Sequence, residues 1–181
     1  VLADPLTPHD SALIDAVAAT AVTANCRAAR VVLTQGRLFT PAPWPSSGAP
    51  RRGAPGPCHR NELRVARRLP GAYVEGYVLA PDHTARAHAW CAAADGTVLD
   101  PASPDGSDLA YLGVPMAWEF VAAFQKRTLT KTHFRGIFDS DVQARDAERI
   151  LHAGVPIHGM VDLGRFPPPF DPELIPPKAT S

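Results

Sequence analysis

The chain has 181 residues, 45% of them hydrophobic, and its 18 Lys plus Arg are balanced by 18 Asp plus Glu. That is enough for one domain with a real core and not for two. The charge balance supplies no global field to draw nucleic acid or an anionic membrane surface, and no apolar run approaches the ~20 residues that a membrane-spanning helix needs. Three cysteines do not make a disulfide framework. The opening Val-Leu-Ala-Asp-Pro has neither the basic nor the apolar region of a secretory signal. The default expectation is a single domain over residues 1–181, working in the cytoplasm with reduced thiols.

Asp10 or Ser11 is expected to cap a first helix, whose Leu13, Ile14, Val17, Ala18, Ala21 and Val22 recur at helical spacing. Val31-Val32-Leu33 reads as a short strand or the tail of a second helix. Residues 41–57 are dense in proline and glycine, which rules out a helix or an interior strand. A loop this long is disordered or functional, and it runs directly into Cys58. Asn61 to Leu69 is helix-like, with Leu63, Ala66 and Leu69 inward, and Pro70-Gly71 ends it. Residues 72–80, 87–93 and 97–100 read as three strands joined by turns at Pro81–Thr84 and Asp95-Gly96. Residues 101–108 read as loop. Helices are expected over Met116–Lys126 and Asp141–His152, with Gly154 ending the second. A proline-rich tail, 166–181, is expected to be peripheral. The fold class is therefore α+β, an antiparallel sheet packed against helices.

Cys58, His88 and Asp100 occur in this order, each at the end or on the face of a regular element. A thiol, an imidazole and a carboxylate are what thiol-dependent acyl chemistry requires: the thiolate attacks, the imidazole carries its proton, and the carboxylate orients the ring. A helix start at Cys58 would lower the thiol pKa and present backbone N–H groups to an oxyanion. Strand alternation puts His88 and Trp90 on one face and Ala89 and Cys91 on the other. Asp100 reaches the His88 face only if Ala93 pairs with Thr97 around a three-residue loop, Ala94-Asp95-Gly96, with Gly96 left-handed. A two-residue Asp95-Gly96 turn would set Asp100 opposite Cys91, on the wrong face.

At these residues the chain resembles the transglutaminase-like branch of the papain-like cysteine-peptidase superfamily. The resemblance rests on Pro57-Cys58-His59-Arg60-Asn61, on Tyr73-Val74-Glu75-Gly76-Tyr77, on His88-Ala89-Trp90 and on Leu99-Asp100-Pro101, and covers roughly Pro57 to Val114. It implies a papain-like core with Cys58, His88 and Asp100 as a catalytic triad, and an amide hydrolase, deamidase or acyltransferase. Arylamine N-acetyltransferases share the triad order but carry an arginine-glycine-glycine motif before the Cys that is absent here.

Around the triad, Trp90 is a candidate wall beside the imidazole, Glu75 a candidate reader of a cationic or amide group, and Gln35 a candidate second oxyanion donor. Each also fits a plain structural role. No bound cofactor is implied; the substrate would be a peptide, a protein or a small amide or thioester. Two rival uses of the same residues stand beside this one. The first is a peptide-binding module without chemistry. The second is a zinc site from Cys58, His59, His88 and Cys91.

Overall fold

A computed structural model describes residues 5–46, 65–68, 71–128, 136–138 and 145–170. It consists of helices α1 (Pro8–Thr23) and α2 (Arg27–Gln35), strands β1 (Arg37–Phe39), β2 (Gly71–Leu79), β3 (Ala85–Ala93), β4 (Val98–Leu99) and β5 (Ala110–Met116), then helices α3 (Trp118–Thr128) and α4 (Arg145–Ala153) and a 3-10 turn, Ile157–Gly159. The five strands form one antiparallel sheet in the order β1-β5-β2-β3-β4. The fold is α+β, as expected, and β2-β3-β4 is the expected meander.

The α1 cap lies upstream of the expected Asp10 or Ser11. Thr7 Oγ1 accepts from the Asp10 N–H at 3.0 Å while Asp10 Oδ2 accepts from the Thr7 N–H at 3.0 Å. This reciprocal capping box, with Pro8 at the first helical position, satisfies two otherwise orphaned donors. In α2 the β-branched Val31-Val32 pair is helical. Ala29, Val32 and Leu33 are buried at helical spacing, in one cluster with Leu13 and Val17 of α1 and Leu112 of β5, and this packing outweighs the local preference.

Strand β5 has no counterpart in the sequence reading, which ended a loop at Asp108 and began a helix at Met116. Gly113 and Pro115 disguise it. Pro115 is tolerated because its carbonyl accepts from the Val161 N–H at 3.0 Å. A strand residue's N and O point the same way, so the proline nitrogen also faces away from β2. There β1, which pairs only with residues 111–113, has already ended.

The sheet curls strongly. In a flat sheet, β1 and β4 would lie about 19 Å apart, four strand spacings. Yet Thr40, just after β1, forms a parallel bridge with Thr97, just before β4, with Thr40 N–H to Gly96 O at 3.2 Å and Val98 N–H to Thr40 O at 2.9 Å. Phe39 of β1 meets Trp90 of β3 edge-on at 5.9 Å across the two strands between them. The concave face thus encloses a small core of Phe39, Val74, Val78, Trp90, Val98 and Tyr111, closed by Val161 and Leu163. The convex face carries Tyr73, Tyr77, Cys91, Leu112 and Met116 against Leu13 and Val17 of α1, Val32 of α2, Val121 and Phe124 of α3 and Ile150 of α4.

Two paired glycines, Gly76 and Gly113, permit the curl. A Cβ on Gly76 would fall onto the Leu112 carbonyl and Gly113 Cα, and one on Gly113 would lie 2.6 Å from the Trp90 ring and 2.7 Å from the Glu75 carbonyl. The strands can approach this closely, and the indole can lie across β5, only without side chains there. Replacing Gly76 by Ala should destabilise the fold by about 3 kcal/mol, read as a lower denaturant midpoint with an unchanged slope. A neutral outcome would mean that the close approach is not needed.

Candidate active site

His88 and Asp100 come together. The hairpin between β3 and β4 has the three-residue loop: Ala92 pairs with Val98 and Cys91 with Leu99, Ala93 N–H donates to Thr97 O at 2.9 Å, and Gly96 N–H to Ala93 O at 2.9 Å. Gly96 takes φ +82°, the left-handed position such a loop needs. Asp95 Oδ1 accepts the Thr97 N–H at 2.9 Å and locks the turn. Asp100 then follows β4 on the concave face beside His88, and His88 Nε2 lies 2.7 Å from Asp100 Oδ2. The Asp100 side chain is fully buried and that of His88 is 14% exposed, so the ring lies at the rim of the concave core with the carboxylate behind it.

The chain around Asp100 explains how a carboxylate survives burial. Oδ1 accepts from the N–H groups of Ala102 at 2.8 Å and Ser103 at 3.2 Å, an Asx-type turn in which the intervening Pro101 has no N–H to satisfy. Oδ2 takes His88 and the Tyr111 hydroxyl, the latter at 3.1 Å. Burial by itself pushes the Asp100 pKa up. The His88 hydrogen bond and charge and the two backbone N–H groups outweigh it and hold the carboxyl below its ordinary value. Tyr111 is pushed up, first by burial and then by the charges of Asp100 and Asp108, so it stays a neutral donor. With an ionised Asp100 accepting from Nε2, the neutral imidazole carries its proton on Nε2 and its lone pair on Nδ1.

Trp90 is completely buried and stacks on His88, ring centroids 6.2 Å apart at 23°. It also meets Tyr111 edge-on at 5.1 Å. Its indole nitrogen has no hydrogen-bond partner among the described residues. The first residues of the proline-rich loop pass the turn that follows Asp100, with Trp44 N–H donating to Pro104 O at 2.8 Å.

Gln35 and Glu75 are not brought to this site. The Gln35 amide clamps Val155, donating to its carbonyl at 2.9 Å and accepting from its N–H at 2.7 Å. These two hydrogen bonds tie the end of α2 to the chain just after α4. Glu75 pairs with Ala89 while His88 pairs with Gly76, so Glu75 faces the convex side. There its buried carboxyl accepts from the Tyr73 hydroxyl at 2.7 Å and from the N–H groups of Ile137 at 2.8 Å and Phe138 at 2.9 Å. It anchors a passing segment and does not face the concave site.

Cys58 and His59 lie outside the described residues. His88 and Cys91 point to opposite faces of the sheet, so these two zinc candidates do not converge on one ion. Cys91 is buried in the convex core. Cys26 is half-buried, with its sulfur 3.5 Å from the Tyr77 hydroxyl. Tyr111 is the site residue that sequence reasoning missed. The one signal for it was the alternation of Leu112, Val114 and Met116 against Tyr111, Gly113 and Pro115.

Comparisons with protein families, with curated proteins and with solved structures found no match. Among the described residues no helix is long and apolar enough to cross a membrane.

Because folded Asp100 holds its proton less tightly than it would in the unfolded chain, the stability it contributes is present above about pH 4 and is lost as pH falls through its lower folded value. Asp100→Asn should therefore be less stable than the parent protein at pH 7, by about 2 kcal/mol. The gap should narrow below about pH 4, as the parent's own carboxyl protonates. Denaturant titrations of both proteins across that range measure it, and a gap independent of pH would contradict the assignment.

Proposed function

We propose that the protein is a thiol-dependent acyl-transfer enzyme, with Cys58 as nucleophile, His88 as proton carrier and Asp100 as the group that orients the imidazole. The observation that carries this reading is the 2.7 Å contact of His88 Nε2 with a fully buried Asp100. It directs Nδ1, the basic nitrogen, away from the carboxylate. An ionised carboxylate behind a rim-exposed imidazole, walled by an indole, is the base half of such a site. The papain-like, transglutaminase-like core belongs to the same proposal.

The chain leaves room for the thiol to arrive. Val65 and Ala66 are helical and pack in the convex core. Seven residues earlier stands Cys58, a reach of roughly 10 Å if helical and 24 Å if extended. Strand β4 pairs with Cys91 and Ala92 of β3, so that pairing ends three residues from His88.

In the reaction, His88 Nδ1 takes the Cys58 proton and the thiolate attacks the carbonyl carbon of an amide or thioester. The tetrahedral oxyanion is held by backbone N–H groups near Cys58. The imidazolium returns the proton to the departing amine or thiol, leaving an acyl-thioester on Cys58. Water or an amine, deprotonated by His88, attacks this acyl group and regenerates the thiol. Substrates are peptides, proteins or small amides and thioesters; no cofactor enters the chemistry. The reading takes the protein to act in the cytoplasm, where thiols stay reduced.

Iodoacetamide tests it. An ordinary thiol near pKa 8.5 is about 3% ionised at pH 7, so an activated Cys58 should alkylate about tenfold faster than the half-buried Cys26. The advantage should collapse in His88→Asn and shrink in Asp100→Asn. Mass spectrometry of the three cysteine peptides reads all three rates. Labelling of Cys58 no faster than Cys26 would overturn the proposal in favour of a binding module.

A further inference from the structure

The Tyr111 hydroxyl does not serve Asp100 alone. It lies 3.1 Å from Asp100 Oδ2 and 3.2 Å from Asp108 Oδ2, so a single phenolic proton stands between two carboxylates. Asp100 Oδ2 is the same oxygen that meets His88. Asp100 is enclosed, whereas Asp108 is half-buried at the end of the loop 101–109, just before β5. The ring of Tyr111 is itself buried and packed edge-on against Trp90, so the hydroxyl cannot swing away.

We propose that Tyr111 is a positioning residue for His88, acting through Asp100, and that Asp108 is the outer member of a chain running His88, Asp100, Tyr111, Asp108. This rests on the reading of His88 as the site's base. The phenolic proton and the His88 Nε2–H compete for one oxygen. The share that Tyr111 gives to Asp100 sets how strongly that oxygen supports an imidazolium. Asp108 draws the same proton the other way and adds a negative charge nearby. Among the described residues, Ser103 also faces this chain and opposes the upward push on Tyr111, and the N–H groups of Ala102 and Ser103 hold the far carboxylate oxygen. The chain thus runs from the rim of the concave core through its interior to a half-exposed carboxylate.

The two ends of the chain make opposed demands, and this separates positioning from simple structural support. In Tyr111→Phe the competing proton is gone, Asp100 accepts more fully from His88, and the imidazolium is favoured. In Asp108→Asn a negative charge is lost and only a weaker, neutral acceptor competes for the phenol, which donates more fully to Asp100, so the imidazolium is disfavoured. NMR titration of the full-length protein labelled at its histidine rings reads His88 directly and needs no substrate or activity. The His88 midpoint should rise by about half a pH unit in Tyr111→Phe and fall by a similar amount in Asp108→Asn. If Tyr111→Phe does not fold, the half-exposed Asp108 decides alone: a fall supports the chain, and no change or a rise overturns it. Where both fold, any pattern other than the opposed pair overturns it. Because the readout is the ring itself, an unreactive Cys58 would defeat the proposed function and leave this result standing.

Discussion

The curled sheet wraps one indole, and most of what is distinctive here follows from that packing. Trp90 extends from β3 toward β5 and comes to rest over Gly113, where any side chain would collide with it. Gly76, opposite Gly113 on β2, lets the two backbones close up. The sheet then bends far enough for the end of β1 to bond the β3–β4 hairpin. A flat sheet of the same strands would leave Phe39 unable to meet Trp90, two strands away. Asp100 would lose the enclosure that makes its hydrogen bonds to His88 and Tyr111 strong.

Two buried carboxyl groups show how the sheet divides its labour. Glu75 and Asp100 are both almost inaccessible, and burying either without donors would cost several kcal/mol. Glu75 draws its donors from Tyr73 and from the backbone of Ile137 and Phe138, pinning a distant segment to the convex face. Asp100 satisfies one oxygen within its own turn and spends the other on His88 and Tyr111. One acid holds the fold together. The other is built so that an oxygen stays directed at an imidazole.

That local economy depends on Pro101. The turn after Asp100 needs N–H groups from the second and third residues on, and a proline in between removes a donor that would have needed a partner of its own. The same turn passes the chain at Trp44, so the entrance to the proline-rich loop and the carboxylate's support are parts of one arrangement. Ionised Asp100 and neutral Tyr111 are stable neighbours because each environment favours the protonation state that the other requires.

The local signals were legible where short-range chemistry decides. Alternation in β2 and β3, the Asp95-Gly96 turn, and the helical spacing in α1 each depend on neighbours a few residues away. Register followed from them: asking that Asp100 share a face with His88 selected the three-residue loop, and Gly96 supplies its left-handed residue. Sequence reasoning failed where distant partners override local preference. The glycine and proline of β5 read as loop because only the close packing against Trp90 and the early end of β1 make them fit a strand. Glu75 and Gln35 looked available because the Ile137 and Val155 backbones that claim them lie 62 and 120 residues away. The composition and spacing of the chain therefore determined an α+β fold, and placed His88 and Asp100 on one face provided that the hairpin took its three-residue loop. Tertiary structure alone decided that this face is concave, that Tyr111 and Asp108 stand behind the pair, and which polar side chains are claimed by distant backbone, because those outcomes rest on contacts between segments that no local pattern encodes.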